Sequence, residues 1–296
     1  MYPAPIREYF CPATLEEAIQ RYSEADGEAV FIAGGMSLMQ ALKSRLITPD
    51  CVIDLNHIDK LKGISIIDNI ISIGAMTRYK DIAGSRDSLI TYEAICDASA
   101  HVGDRQVRNR GTIGGSLCWN YISACSPVAA LAIDAELNVL RTGNGDIETV
   151  NINNFLKGPM ETALEEGDLL LSITLPVNQT ASGSAYKKWG VVKDALPVIG
   201  VGVYIELASD KACRKARFVV GGLPNGPGRS YQAENLLVES DISNKDTLIQ
   251  AANAAADEIE TADDPWITAD YRSHLIKNLG TEMLETSFNL AKARLS

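Results

Sequence analysis

Two pairs of adjacent glycines, each beside a small hydroxyl residue, constrain this chain more than any other feature. The first lies in AGGMSL, Ala33 to Leu38. It follows the apolar run Ala29-Val30-Phe31-Ile32, which reads as a short buried strand. Beyond it the apolar residues Leu38, Met39, Ala41, Leu42 and Leu46 recur at helical spacing. Gly34 and Gly35 carry no Cβ, so the backbone can turn sharply and a ligand can approach it closely. The first amides of the helix have no internal partner, and an anion, above all a pyrophosphate, suits them. A tight turn with no ligand is the alternative reading. The second pair lies in GTIGGS, residues 111–116, after the polar stretch DRQVRNR, Asp104 to Arg110, which reads as a loop. Neither pair has the G-x-G-x-x-G spacing of a dinucleotide fingerprint or the Lys-Ser/Thr ending of a P-loop. Two such loops in one chain suggest a single long ligand held from two sides.

Length and charge narrow the partners. At 296 residues the chain is expected to form two domains. Its formal charge of −11 argues against nucleic acid, which demands basic side chains. It does not argue against a pyrophosphate held by neutral amides. Cys11, Cys51, Cys96, Cys118, Cys125 and Cys213 include no C-x-x-C pair, so no zinc or iron–sulfur site is expected, and no disulfide framework. Reduced thiols in a cytoplasmic protein are the expectation. His57, His101 and His274 lie far apart and suggest neither a metal site nor a catalytic set. The opening MYPAPIREYF lacks a signal peptide's apolar stretch, and no run approaches the ~20 apolar residues of a membrane span.

Taken in order, Thr14 and Glu17 have capping-box spacing at the head of a helix, and Cys51 to Leu55 reads as a strand. Ile64–Ile67 and Ile70–Ile73 flank Asp68-Asn69 as a hairpin. Thr77 heads a short helix through Ala83, and Ser88 to Val102 supplies a longer one. Pro127 opens an apolar helix. Asn138–Leu140 and Ile147–Val150 form another hairpin, and Leu169 to Leu175 a strand. The polar stretch Val177 to Gly183 reads as a linker. Three strands follow, Ala185–Trp189, Val198–Leu207 and Ala216–Gly221, and then helices over 233–238, 247–259 and 271–293.

AGGMSL, RLITPDCVIDL, IGAMTRYKDI and DRQVRNRGTIGGSL, continued by TALEEGDLLLSITLP, SAYKKW and FVVGGLP, together resemble the FAD-binding medium subunits of the molybdenum hydroxylases, the xanthine dehydrogenase and carbon monoxide dehydrogenase family. The resemblance spans nearly the whole chain. It implies an α+β fold: a two-lobed FAD-binding domain of the vanillyl-alcohol-oxidase type over residues 1–176, with lobes at about 1–57 and 58–176. A smaller α+β C-terminal domain, a three-stranded sheet plus helices, would occupy 178–296. The backbone of Phe31, Ile32, Ala33, Gly34, Gly35, Met36, Ser37 and Leu38 would wrap the pyrophosphate and ribityl chain. Thr112, Gly114, Gly115 and Ser116 would grip the same region from the other side. Val102 and Gly103 match positions at or beside the adenosine half, Leu170 matches a residue lying against the flavin, and Lys187 a lysine that reaches it. Relatives carry an aspartate where this chain has Ala124, which leaves Ser123 or Ser126 as substitutes at the adenosine end. Arg105, Arg108 and Arg110 form either an anion patch or a structural loop or subunit contact.

The function so implied is an electron-transfer subunit with FAD and no catalytic side chain of its own. Partner subunits would hold the molybdenum cofactor and two 2Fe–2S clusters. Electrons from hydroxylation of an N-heterocycle such as nicotinate would pass through the clusters and this FAD to NAD(P). The alternatives are a stand-alone FAD-dependent oxidase or dehydrogenase, and a non-catalytic assembly subunit.

Overall fold

A computed structural model describes residues 5–177, 181–238 and 240–295. The chain begins with a parallel sheet of β1 (Glu8–Phe10), β2 (Ala29–Ile32) and β3 (Cys51–Asp54) in the order β1-β3-β2, joined through helices α1 (Leu15–Glu24) and α2 (Leu38–Ser44). β1 has no counterpart among the strands expected from sequence. The capping box is complete: Glu17 N donates to Thr14 Oγ1 at 3.1 Å, and Ala13 N donates to the Glu17 carboxylate at 3.0 Å.

A five-stranded antiparallel sheet follows, in the order β4-β5-β10-β6-β7. Its strands are β4 (Ile64–Ile67), β5 (Ile70–Gly74), β6 (Glu136–Leu140), β7 (Ile147–Asn151) and β10 (Leu169–Pro176). The β4–β5 turn works because Asp68 and Asn69 both accept positive φ, 51° and 61°. Between β5 and β6 run α3 (Tyr79–Ala83), α4 (Glu93–His101), α5 (Arg105–Arg110), α6 (Ile113–Trp119) and α7 (Cys125–Ala132). Between β7 and β10 lie α8 (Ile152–Phe155) and a small ribbon of β8 (Leu156–Gly158) and β9 (Glu161–Thr162). Two expectations change here. DRQVRNR is a helix, α5, because Asp104 caps it by accepting from Val107 N at 2.9 Å. Residues 88–92 do not join α4, and Thr91 at φ 77° interrupts the helical path.

The last sheet is antiparallel, β11 (Ala181–Trp189), β12 (Ile199–Leu207), β13 (Cys213–Gly221) and β14 (Gly228–Arg229) in sequential order, one short strand more than expected. Of the stretch read as a linker, residues 178–180 lie outside the described residues, and Ala181 to Gly183 belong to β11. One face of this sheet, with Val201, Val203, Phe218 and Val220, packs on α9 (Tyr231–Leu237), α10 (Lys245–Glu258) and α11 (Ala269–Lys292). The other face sets Tyr186, Tyr204 and Val219 into the core shared with α4 and α7. Glycine makes that second contact possible: a β-carbon on Gly202 would lie 3.2 Å from Ala132 Cβ, and one on Gly221 would collide with Val128. β11 is an edge strand, and α4 satisfies its outward amides. Ser184 N donates to the Glu93 carboxylate and Tyr186 N to that of Asp97. Arg294, just past α11, donates to Glu93 and to Ser182 O. The α-helices and the parallel and antiparallel sheets thus fall into the two-lobed unit plus smaller α+β unit that the resemblance implies.

Candidate functional site

The first glycine loop meets the stretch that carries the second pair, which is not a loop throughout: Gly114, Gly115 and Ser116 form the first turn of α6, capped by Thr112. A β-carbon on Gly34 would stand 2.8 Å from Gly111 Cα and 2.9 Å from the Arg110 carbonyl carbon, and one on Gly115 would stand 3.3 Å from Ala33 Cβ. The missing side chain of Gly34 therefore serves the approach of one loop to the other. Gly114 serves the same purpose one layer deeper, where a β-carbon would press on Ala75, 2.7 Å from its carbonyl oxygen. Gly35 differs. It holds φ +74°, and a β-carbon there would meet only the Met39 and Ile32 side chains, at 3.3 Å and beyond.

Backbone donors separate the loops further. In the first, the opening helical bond runs from Met39 N to Gly35 O at 3.2 Å, and among the described residues nothing accepts from the N–H groups of Gly34, Gly35, Met36, Ser37 or Leu38. The side chain of Ser37, the N-cap of α2, makes no capping hydrogen bond to its helix. In the second loop the donors are spent: Ile113 N on Thr77 O, Gly114 N on Ala75 O, Gly115 N on Thr112 Oγ1 and Ser116 N on Thr112 O. Thr112, 2% exposed, is the N-cap of α6. The second stretch thus braces the first, and its half-buried Ser116 sets its hydroxyl beside that of Tyr79. Leu170 is core, 5% exposed, at a β-bulge. The next carbonyl, Leu171 O, accepts from Ala75 N at 2.9 Å, so only the backbone of this segment adjoins the loops.

A polar bridge that sequence reasoning did not anticipate locks this meeting point. Asn56 Nδ2 donates to Ala33 O at 2.8 Å, Arg78 donates to Asn56 Oδ1, and the same guanidinium donates to Arg110 O. In the sequence Arg78 lies inside the stretch IGAMTRYKDI and Asn56 directly follows RLITPDCVIDL, but neither stands out there as a site residue. The remaining expected positions scatter. Phe31 stacks on Tyr22 of α1, ring centroids 4.9 Å apart, which leaves its backbone alone for a ligand. Val102 and Gly103 accept from Arg108 Nη1 at 3.0 Å each, which shows Arg108 at work inside its own loop. They adjoin an open cavity of about 390 Å³ lined by His101, Arg105, Arg108 and Lys193 among others. Ser126 is fully buried with its hydroxyl 3.4 Å from Tyr79 Oη, so it is no substitute for the missing aspartate. Ala124 itself is the N-cap of α7 and gives that helix no side-chain bond.

Lys187 pairs with Glu282 of α11 at 2.6 Å, on the sheet face that packs against that helix. Strand alternation puts Lys188 on the other face, 8% exposed, with its ammonium donating to Ala195 O. It shares that face with Tyr186, whose buried hydroxyl lies beside the Cys125 thiol. Burial pushes the Cys125 thiol up, partly offset by the Tyr186 hydroxyl and the Lys188 charge. Burial alone pushes Cys118 up to about 12. Buried thiols of this kind are not nucleophiles. Among the described residues no group of His, Cys, Asp or Glu can hold a metal ion, and no helix is long and apolar enough to cross a membrane.

Unspent amides along Gly34 to Leu38 and a Ser37 hydroxyl not used as a cap fit a pyrophosphate-bearing cofactor. Comparison with known proteins agrees. Residues 5–178 match the family described as FAD binding domain in molybdopterin dehydrogenase, and residues 184–287 match the CO dehydrogenase flavoprotein C-terminal domain. The chain is 30% identical to the glyceraldehyde dehydrogenase medium chain of Sulfolobus acidocaldarius, covering 94% of this chain and 97% of that one. It is 30% identical to the nicotinate dehydrogenase FAD-subunit of Eubacterium barkeri, over 78% of this chain and 79% of the relative. Superposed on a carbon monoxide dehydrogenase structure from Hydrogenophaga pseudoflava it gives a TM-score of 0.89 at 28% identity, covering 98% and 99% of the two chains.

Proposed function

Because the chain belongs to the FAD-binding medium subunits of the molybdenum hydroxylase family, we propose that it is the electron-transfer flavoprotein subunit of such a complex. The chemistry supplied by FAD when bound is electron transfer, from 2Fe–2S clusters on an iron–sulfur subunit to NAD(P), while a molybdopterin subunit hydroxylates an N-heterocycle such as nicotinate. The observation that carries this reading is the convergence of two glycine loops, one with its amides unspent. The amides of Gly34 to Leu38 and the Ser37 hydroxyl hold the pyrophosphate. The braced loop, through Ser116 and the backbone at Gly115, bounds the cradle. Lys188, on the sheet face that packs against α4 and α7, would be a cation favouring the ring form that carries more negative charge. Residues 1–176 act as the FAD-binding domain and 178–296 as the unit that closes over it. A cytoplasmic location belongs to the same reading, supported by six free cysteines.

Elemental analysis of the native complex, followed by anaerobic addition of NADH or NADPH, tests this. Molybdenum and iron should co-purify, and one of the two nucleotides should bleach the flavin bands. A flavoprotein free of both metals that oxidises a substrate unaided would establish a stand-alone oxidase. A colourless complex would establish an assembly subunit.

A further inference from the structure

The bridge between the glycine loops contains a charge that its protein partners do not balance. Arg78 is half-buried, and its hydrogen bonds run to two neutral oxygens, Arg110 O and Asn56 Oδ1. No carboxylate is within ion-pair distance among the described residues. The nearest acidic influences are Asp54, which is engaged with Asn56 and Tyr9, and Asp81. Burial and the neighbouring positive charge of Arg110 both work against the Arg78 charge. A half-buried guanidinium beside a second one, without a counter-ion, is a costly arrangement for a chain to keep. Its location removes the puzzle: the carbonyl it donates to, Arg110 O, is the one against which Gly34 packs, and Asn56 ties it to Ala33 O. Its other N–H groups have no acceptor among the described residues.

We infer that Arg78 is a direct cationic contact for the pyrophosphate of the bound dinucleotide, adding a charge to a cradle otherwise made of neutral amides. This rests on the reading of the loops as an FAD site. A fork of donors suits two adjacent phosphates better than a point charge does.

The test is calorimetric binding of ADP, adenosine and FAD to the full-length apo chain. Wild type should bind ADP more tightly than adenosine, with a preference that shrinks as salt rises. Arg78→Met should weaken ADP and FAD by roughly ten- to a hundred-fold while leaving adenosine unchanged. Arg78→Lys should recover part of the loss. Asn56→Ala, which cuts the bridge but leaves the charge, should keep the wild-type ratio of ADP to adenosine. An unchanged ratio in Arg78→Met, or an equal loss of ratio in Asn56→Ala, would overturn the inference and leave Arg78 a brace for the loops. If wild type bound neither FAD nor ADP, the cofactor reading would itself fall, a result distinct from failure of Arg78 alone.

Discussion

Replacing Gly34 with alanine adds one methyl group at the point where the two glycine loops touch. That methyl would stand 2.8 Å from Gly111 Cα and 2.9 Å from the Arg110 carbonyl carbon, both backbone atoms. Reaching an ordinary carbon–carbon separation of about 3.5–4.0 Å requires a shift of roughly an ångström. The segment that must move is anchored: Gly111 N donates to Val107 O at 2.7 Å, Gly111 O accepts from Tyr79 N at 3.2 Å, and Arg110 O accepts from Arg78. Overpacking costs about 1–3 kcal/mol, and loosening one of these bonds adds about 1 kcal/mol. Gly34→Ala should therefore destabilise the chain by about 2–4 kcal/mol and weaken FAD binding together with it. Urea unfolding followed by FAD titration measures both. Gly143→Ala is the control, since a β-carbon there meets open space, and it should change stability by less than about 0.5 kcal/mol. A Gly34→Ala variant as stable as that control would refute the account of how the loops meet.

Gly35→Val should behave differently, losing FAD while most of the fold survives, because its strain is the local cost of φ +74°, about 1–2 kcal/mol; flavin content after gel filtration reads this out. Lys188→Met should lower the flavin reduction potential and Lys187→Met should not, as potentiometric titration of the two would show. Ala124→Asp supplies the missing cap of α7 and should raise stability by about 1 kcal/mol, with tighter FAD binding seen by calorimetry. Asp134 joins the helical layer to β13: burial opposes its ionisation, but Lys215 and Arg217 outweigh that and hold its carboxyl below the ordinary range. Its contribution is present above the unfolded aspartate pKa, near 4, and is lost as pH falls through the lower folded value. An acid unfolding curve should therefore steepen less in Asp134→Asn than in wild type.

The glycine pairs are legible because glycine marks the places where a chain must turn or be approached; Gly34-Gly35 lies in the loop before α2, as expected, whereas Gly114-Gly115 lies in the first turn of α6 and not in a loop. Their division of labour is not legible. Whether an amide is free or spent depends on partners such as Ala75 and Thr77, which reach Gly114 and Ile113 only through the tertiary fold. Arg78 lies in the recognisable stretch IGAMTRYKDI and Asn56 just after RLITPDCVIDL, but that these two polar residues fold onto one point is set only by the tertiary fold. The lysine pair shows another limit. Two adjacent lysines give no clue to strand parity. It is set at Gly183, whose α-carbon lies so close under α11 that a β-carbon would be 2.6 Å from Leu290 Cβ, which sends the odd positions, Lys187 among them, to that helix. DRQVRNR was read as a loop on its polarity, though the Asp104 cap is enough to start a helix there.

The central claim is that this chain itself holds FAD at the seam of the two glycine loops. The most direct test is the visible absorption spectrum of the purified chain after incubation with FAD and gel filtration, run beside Gly35→Val. Flavin bands at one FAD per chain are expected in the wild type and none in the variant. Flavin bands of equal strength in both, or a colourless wild type, would contradict it.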